Sequence, residues 1–197
     1  MAIINRGFGG RRGTGDPRLP PGQTLVEDWP VLTAGPTPDI SPGEWSFSIT
    51  TETGAQHRWD WGTLHEVGVE DIRTDIHCVT HWSRLGMSWR GVSVDRLFDD
   101  VETSHDFVMV RTHDGYTTNL ALDDLLEGQA WIATEADGEP LTPEHGGPAR
   151  LLVPHLYFWK SAKWVAEMRM MPTDEPGFWE QNGYHLHGDP WREERYW

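Results

Sequence analysis

Two Asp-Gly dipeptides, each beside short runs of alternating apolar and polar residues, constrain this chain more than any other feature. Asp114-Gly115 separates "FVMVRT" from "YTTNLAL", and Asp137-Gly138 follows "AWIATEA". An Asp-Gly pair supplies the positive φ that a tight hairpin turn needs, and alternation places one face of each strand on a core. The same alternation marks "WSFSITT", part of "IRTDIHCVTHW", and "KWVAEMRMM", where Trp164, Ala166, Met168 and Met170 oppose Val165, Glu167, Arg169 and Met171. "ARLLVPHLYFW" reads as another strand-like run. Helical signals are brief. "DWGTLHEV" offers Asp60 as a cap with Leu64 and Val67 three apart, and "SVDRLFDDV" offers Ser93 as N-cap with Val94, Leu97 and Phe98 on one face. "LDDLLEG" reads as a helical turn ended by Gly128. These signals predict an α+β fold of strand-rich mixed sheets with short helices.

The 197 residues suit one domain with a sizeable core. Residues 1–24 are rich in Gly, Arg and Pro and read as an extended or disordered arm, leaving 25–197 as the domain. Pro30, Pro36, Pro38 and Pro42 punctuate a stretch expected to wrap over the surface. Arg11 and Arg12 are not followed by an apolar segment, and no apolar run nears the ~20 residues of a membrane span, so a cytoplasmic, non-membrane protein is expected. Net charge is −15, which disfavours nucleic acid as a partner.

"DIHCVTHWS" holds Cys78, the single cysteine of the chain, between His77 and His81. One thiol excludes an internal disulfide and the structural zinc sites that need two or more thiolates. In a strand, His77 and His81 share a face and Cys78 takes the other, so the three need not converge. A buried structural thiol and a functional one both stay open on these residues alone.

"EHGGPARLLVPHLYFWKSAKW" gathers His145, Arg150, Lys160, Ser161 and Lys163. Fourteen of the sixteen basic residues are arginine, so the two lysines stand apart. Compact point charges beside Ser161 and the close-approach glycines Gly146 and Gly147 suggest an anion pocket, a phosphate above all, without a Walker signature. In the tail, "DEPGFWEQNGYHLHGDPWREERYW", His185 and His187 alternate as metal ligands on a strand can. The other reading is a packed clasp held by Phe178, Trp179, Tyr184 and Trp191.

Together "DIHCVTHWS", "GYTTNL", "DGEPLTPEHGGPARLLVPHLYFWKSAKWV" and "DEPGFWEQNGYHLHGDPW" resemble the short bacterial sulfite-oxidase-like oxidoreductases that bind molybdopterin. The resemblance runs from about Pro20 to Trp191 and rests above all on H-G-x-P-x-R followed by Lys-x-x-Lys-Trp. It implies the sulfite-oxidase molybdopterin-binding fold, a molybdenum–molybdopterin cofactor (Moco) and Cys78 as the catalytic protein ligand to molybdenum. It implies that His145, Arg150 and Lys163 hold the terminal phosphate of the pterin, with Lys160 and Ser161 where further polar contacts fall. His77, with His81 and Arg73, would then orient the site or bind an anionic substrate. The chain has no room for the separate dimerisation or haem domains of animal and plant sulfite oxidases, and their sulfite-binding arginine and tyrosine cannot be placed by motif.

The reading is an oxygen-atom-transfer oxidoreductase of sulfite-oxidase type acting on a small oxo or sulfur-containing substrate, with a separate electron-transfer partner. Two other classes stay open. One is a zinc or iron enzyme using Cys78 with His77, His81, His185 or His187; the other is a non-catalytic binding module on the same scaffold.

Overall fold

The computed structural model describes residues 16–197. Of the expected arm, residues 1–15 lie outside the described residues. Residues 16–24 lie against the fold, with Pro20 and Gln23 buried.

Among the described residues eleven strands form two sheets. The first is built on one long strand, β5 (Trp82–Ser93). β5 pairs in parallel with β1 (Thr24–Leu25) and antiparallel with β4 (Val69–His77) and β8 (Trp131–Ala136). β8 in turn pairs with β9 (Glu139–Pro140) and β10 (Arg150–Leu152). The second sheet runs β3 (Gln56–Asp60), β2 (Ser46–Thr50), β11 (Val165–Met171), β6 (Phe107–Thr112), β7 (Thr117–Ala121). Both sheets are mixed, because β1–β5 and β2–β11 are parallel pairs.

The hairpins form where the turn residues require them. Asp137 and Gly138 both have positive φ, 52° and 84°, the twist that joins two strands through a two-residue loop. At the other hairpin Gly115 has φ 89°, and the Asp114 carboxylate accepts a short bond from the Thr112 hydroxyl. α1 (Trp61–Val67) starts at Asp60, which accepts from Thr63 N at 2.8 Å, while Thr63 Oγ1 accepts from Asp60 N at 2.9 Å. This reciprocal cap satisfies two otherwise orphaned donors.

Some expectations change in detail. Ser93 occupies the N-cap of α2 (Val94–Phe98), but its hydroxyl donates to Asp95 at 3.0 Å instead of capping. "LDDLLEG" forms a single 3-10 turn, Leu122–Asp124, and Gly128 follows with φ 72°. The run after Arg150 is strand only to Leu152. Pro154 lacks the N–H a ladder needs, and the chain turns through 155–161 to bring Ser161 back under Arg150. The tail is a clasp, but Phe178 and Trp191 are 40% and 50% exposed. Trp179 and Tyr184 do pack against the smaller apolar cluster, and the tail is anchored further by Glu180, within the short helix α3 (Phe178–Gln181), and by Arg195.

Two apolar clusters fill the molecule. The larger, around Phe47, Leu97, Ile132 and Met168, lies between the sheets. The smaller surrounds Ile76, Trp82, Trp89, Tyr157 and Trp159, and Cys78 belongs to it.

Candidate functional site

β4 ends at His77, and the chain reverses through Cys78–His81 into β5. His81 takes a left-handed conformation, φ 70°, so strand periodicity does not carry across the turn and His81 does not share a face with His77. Distant residues brace the turn. Cys78 N donates to Trp82 O at 2.8 Å and His81 N to Cys78 O at 3.1 Å. Gln23 Nε2 donates to Cys78 O at 3.0 Å, Arg195 Nη1 donates to Val79 O at 2.7 Å, and His81 Nδ1 meets Gly22 O at 3.0 Å. The Cys78 thiol is 7% exposed, and burial pushes its pKa up.

Cys78 lines one cavity of about 320 Å³, whose other walls include His145, Arg150, Ser161 and Lys163. That volume lies at the lower end of the ~300–1,000 Å³ range that accepts small molecules and cofactors. The two sequence features therefore meet in space, although more than sixty residues separate them.

The basic end of the cavity carries charge with no acidic partner. Arg150 is 1% exposed; Nη1 donates to His145 O at 2.8 Å and Nη2 to Ser161 O at 2.5 Å, while its Nε has no partner. Burial pulls its pKa down to about 9, so it stays protonated at neutral pH. The guanidinium carbon lies 4.1 Å from the Phe158 ring centroid, a partial substitute for a counterion. Lys163 Nζ donates to Leu32 O at 2.8 Å and Glu144 O at 2.6 Å, and burial, with Arg150 nearby, brings it down to about 8. Burial also lowers His145. Among the described residues neither Arg150 nor Lys163 pairs with a carboxylate. Arg150 is buried and Lys163 half-buried, and Asp114 and Glu144 act on Lys163 only from beyond contact distance, so the excess positive charge favours an incoming anion. Gly146 makes it possible: at φ 100° a Cβ there would lie 2.9 Å from Lys163 Cβ and 3.1 Å from Arg150 Cβ.

Two expected site residues stand elsewhere. Lys160 does not line the cavity. It is fully buried, 2.7 Å from Glu180, and donates to Asn119 O, Asn119 Oδ1 and Leu186 O at 2.8, 2.9 and 2.5 Å, which leaves no donor for a ligand. His77 does not line the cavity: Nδ1 meets Ser83 Oγ at 2.8 Å, and burial lowers its pKa to about 4, so it is neutral at pH 7. Ser161 does reach the cavity, though its Oγ already accepts from Val153 N at 2.9 Å. Arg73 is exposed on β4. His185 and His187 belong to an ion network with Glu194 and Asp124, remote from Cys78 in the contacts they make. Among the described residues no three of His, Cys, Asp and Glu are arranged to hold a metal by themselves.

Sequence reasoning missed several wall residues. Trp29 stacks on His145 with centroids 4.0 Å apart and planes within 5°, and His145 Nε2 lies 3.2 Å from Trp29 O. Leu32, Thr33 and Ala34 continue this strap along the cavity. Trp82, 3% exposed, also lines it and its indole N–H has no partner. The prolines flanked the strap, but nothing local told which surface it would cover. Thr80, Trp179 and Tyr184 complete the wall near the thiol. No helix among the described residues is long and apolar enough to cross a membrane.

The family model of the oxidoreductase molybdopterin-binding domain matches residues 34–179. The oxidoreductase YuiH of Bacillus subtilis is 39% identical over 184 residues, covering 91% of this chain and 92% of that protein. The putative protein-methionine-sulfoxide reductase subunit YedZ1 of Azospira oryzae is 24% identical over 152 residues, 76% of this chain and 58% of that protein. The crystal structure of the sulfane dehydrogenase SoxCD from Paracoccus pantotrophus superposes with a TM-score of 0.64 at 15% identity, over 75% of this chain and 42% of that chain. The chain thus spans about half the length of these last two, and the SoxCD likeness is one of fold.

Proposed function

Because this chain belongs to the family of oxidoreductases with a molybdopterin-binding domain, and its cofactor is therefore molybdenum–molybdopterin, we propose that it is an oxygen-atom-transfer enzyme of sulfite-oxidase type with Cys78 as the protein ligand to molybdenum. One observation carries the assignment of residues: a single cavity is lined both by the chain's one thiol and by two cations, Arg150 and Lys163, that have no carboxylate in contact. A pterin with a dithiolene at one end and a phosphate monoester at the other matches that polarity. When bound, the cofactor supplies two-electron redox chemistry at the metal.

The chain's own residues do the rest. Arg150, Lys163 and His145 would hold the phosphate, with Ser161 beside them; Lys163 and His145, now bonded to the carbonyls of Leu32 and Trp29, could turn their donors to it. The unpartnered indole N–H of Trp82 and the Arg150 Nε are donors in reserve for the cofactor's polar edges. His77 and Lys160 serve the site from outside: His77 fixes the start of β5 through Ser83, and Lys160 pins Glu180, and with it α3, behind Trp159. Trp179 and Tyr184, stacked at 4.9 Å, and Trp159 wall the reacting end and exclude water from it.

The substrate is a small oxo or sulfur-containing compound. One relative, the YedZ1 protein, is named as a putative methionine-sulfoxide reductase subunit, and an aromatic-walled cavity suits sulfur. Electrons pass to or from a separate carrier. The test is purification from molybdate-replete cells, followed by metal analysis and pterin extraction, for the wild type and Cys78→Ser. The expected result is molybdenum and pterin in both, with turnover and thiolate-to-metal absorption lost only in Cys78→Ser. A fully active Cys78→Ser protein with an unchanged spectrum would remove Cys78 from the coordination sphere.

A further inference from the structure

Among the described residues the Cys78 sulfur has one side-chain hydrogen-bond partner, the hydroxyl of Thr80, with Sγ and Oγ1 3.1 Å apart, and the backbone N–H groups of Thr80 and Val79 also bear on it. The contact is built into the turn. Cys78 and Thr80 are two residues apart, and the backbone between them is fixed by the bonds of Cys78 N to Trp82 O, His81 N to Cys78 O and Arg195 Nη1 to Val79 O. Thr80 lines the same cavity as the thiol, and it is exposed where Cys78 is buried, so it stands between the sulfur and solvent. A β-branched side chain has few rotamers, which keeps the hydroxyl near the sulfur at little entropic cost.

A sulfur that ligates a metal retains lone pairs, and a hydroxyl has one proton to give. A hydrogen bond donated to a thiolate ligand withdraws electron density from it. The sulfur then stabilises the oxidised metal less, and the reduction potential rises. We propose that Thr80 is a positioning residue that donates to the Cys78 sulfur and holds the reduction potential of the molybdenum above the value the bare thiolate would set. The inference rests on the reading of Cys78 as the metal ligand. It adds a second contribution from the same turn: Cys78 binds, and Thr80 adjusts how strongly the sulfur donates.

The experiment is a redox titration of the loaded protein followed by electron paramagnetic resonance, with the thiolate-to-metal absorption band recorded in parallel. Thr80→Ser keeps the donor, Thr80→Val keeps the shape without it, and Thr80→Ala removes both hydroxyl and branch. Molybdenum content is measured for each. The expected result is a potential near wild type for Thr80→Ser, a more negative potential for Thr80→Val and Thr80→Ala, and a displaced absorption band in those two. Unchanged potentials and bands in loaded Thr80→Val and Thr80→Ala would overturn the proposal. So would equal shifts in all three variants, or failure of both donor-free variants to hold molybdenum, which would mark Thr80 as structural. Cys78→Ser separates the two readings. If it leaves the absorption band in place, the ligand assignment itself fails; if it abolishes the band while Thr80→Val changes nothing, only the role of Thr80 falls.

Discussion

Removing Lys163 and Arg150 should uncouple cofactor retention from the stability of the empty protein. In the empty protein both cations are held by carbonyls alone, Lys163 by Leu32 O and Glu144 O, Arg150 by His145 O and Ser161 O. Burial has already drawn Lys163 down from 10.5 to about 8, so its charge is a burden on the empty fold. A phosphate monoester brings roughly two negative charges. Each charge-assisted bond lost contributes about 1.5–3 kcal/mol, which at ~1.4 kcal/mol per decade is a roughly 10- to 100-fold weaker hold. Lys163→Ala should therefore purify with sharply reduced molybdenum and pterin, and the double variant Lys163→Ala/Arg150→Ala with almost none. The melting temperature of the empty Lys163→Ala protein should not fall, whereas the extra stability conferred by cofactor should shrink. Arg18→Ala, which removes an exposed partner of Asp16, should change neither quantity. The pH dependence has a worked sign. Lys163 is about half-charged near pH 8 when empty and becomes more basic beside a phosphate, so binding takes up a proton above pH 8 and weakens as pH rises. The phosphate second ionisation near pH ~6 weakens binding below that. Retention should peak between the two. Full pterin occupancy and an unaltered melting temperature of the loaded double variant would refute the reasoning.

Other outcomes are expected. The Asp124 hydrogen bond, with Glu194 adding to it, raises His187 from 6.5 to about 9, so this link between the tail and the Leu122–Asp124 turn is fully present below pH 6.5 and is lost as pH rises through about 9. Protection factors in residues 185–195, corrected for the intrinsic base-catalysed rate of exchange, should fall over that alkaline window, and His187→Gln should abolish that fall. Lys160→Met leaves the Glu180 carboxylate buried without its cation, which should cost about 3–5 kcal/mol by denaturant unfolding, and Lys160→Met/Glu180→Gln should recover part of it. Limited proteolysis of the loaded wild type should spare residues 174–191, because Glu180 and Leu186 are tied to Lys160 from within; in Lys160→Met the same segment should be cut.

The parts of this fold legible in the sequence are those decided locally. Asp137-Gly138 and Asp114-Gly115 fix their hairpins through φ, and Asp60 and Thr63 cap α1 within four residues. The order of motifs also carried the family and its cofactor. What escaped depends on partners far along the chain. Lys160 and Lys163 are three residues apart and look alike, yet one is consumed by Asn119, Leu186 and Glu180 while the other faces the cavity. Nothing near Lys160 announces those partners. Trp29 reads locally as part of a wrapping coil because only tertiary neighbours far along the chain, His145, Trp89 and Arg150 among them, give it a role. The run "IRTDIHCVTHW" places Cys78 near the end of a strand, and β4 does end one residue before it, at His77; what the pattern could not show is the left-handed His81 in the turn, which breaks the shared face of His77 and His81.

The bracing of that turn has a consequence for how the protein is made. Arg195 reaches Val79 across 116 residues of sequence, and Gln23 reaches Cys78 across 55. On the ribosome, Gln23 is available when Cys78 emerges, but the Arg195 brace is translated 116 residues after Val79. Until it docks, the Val79 carbonyl lacks that donor, so the turn that presents Cys78 should reach its final rigidity only after this late segment has folded back onto it.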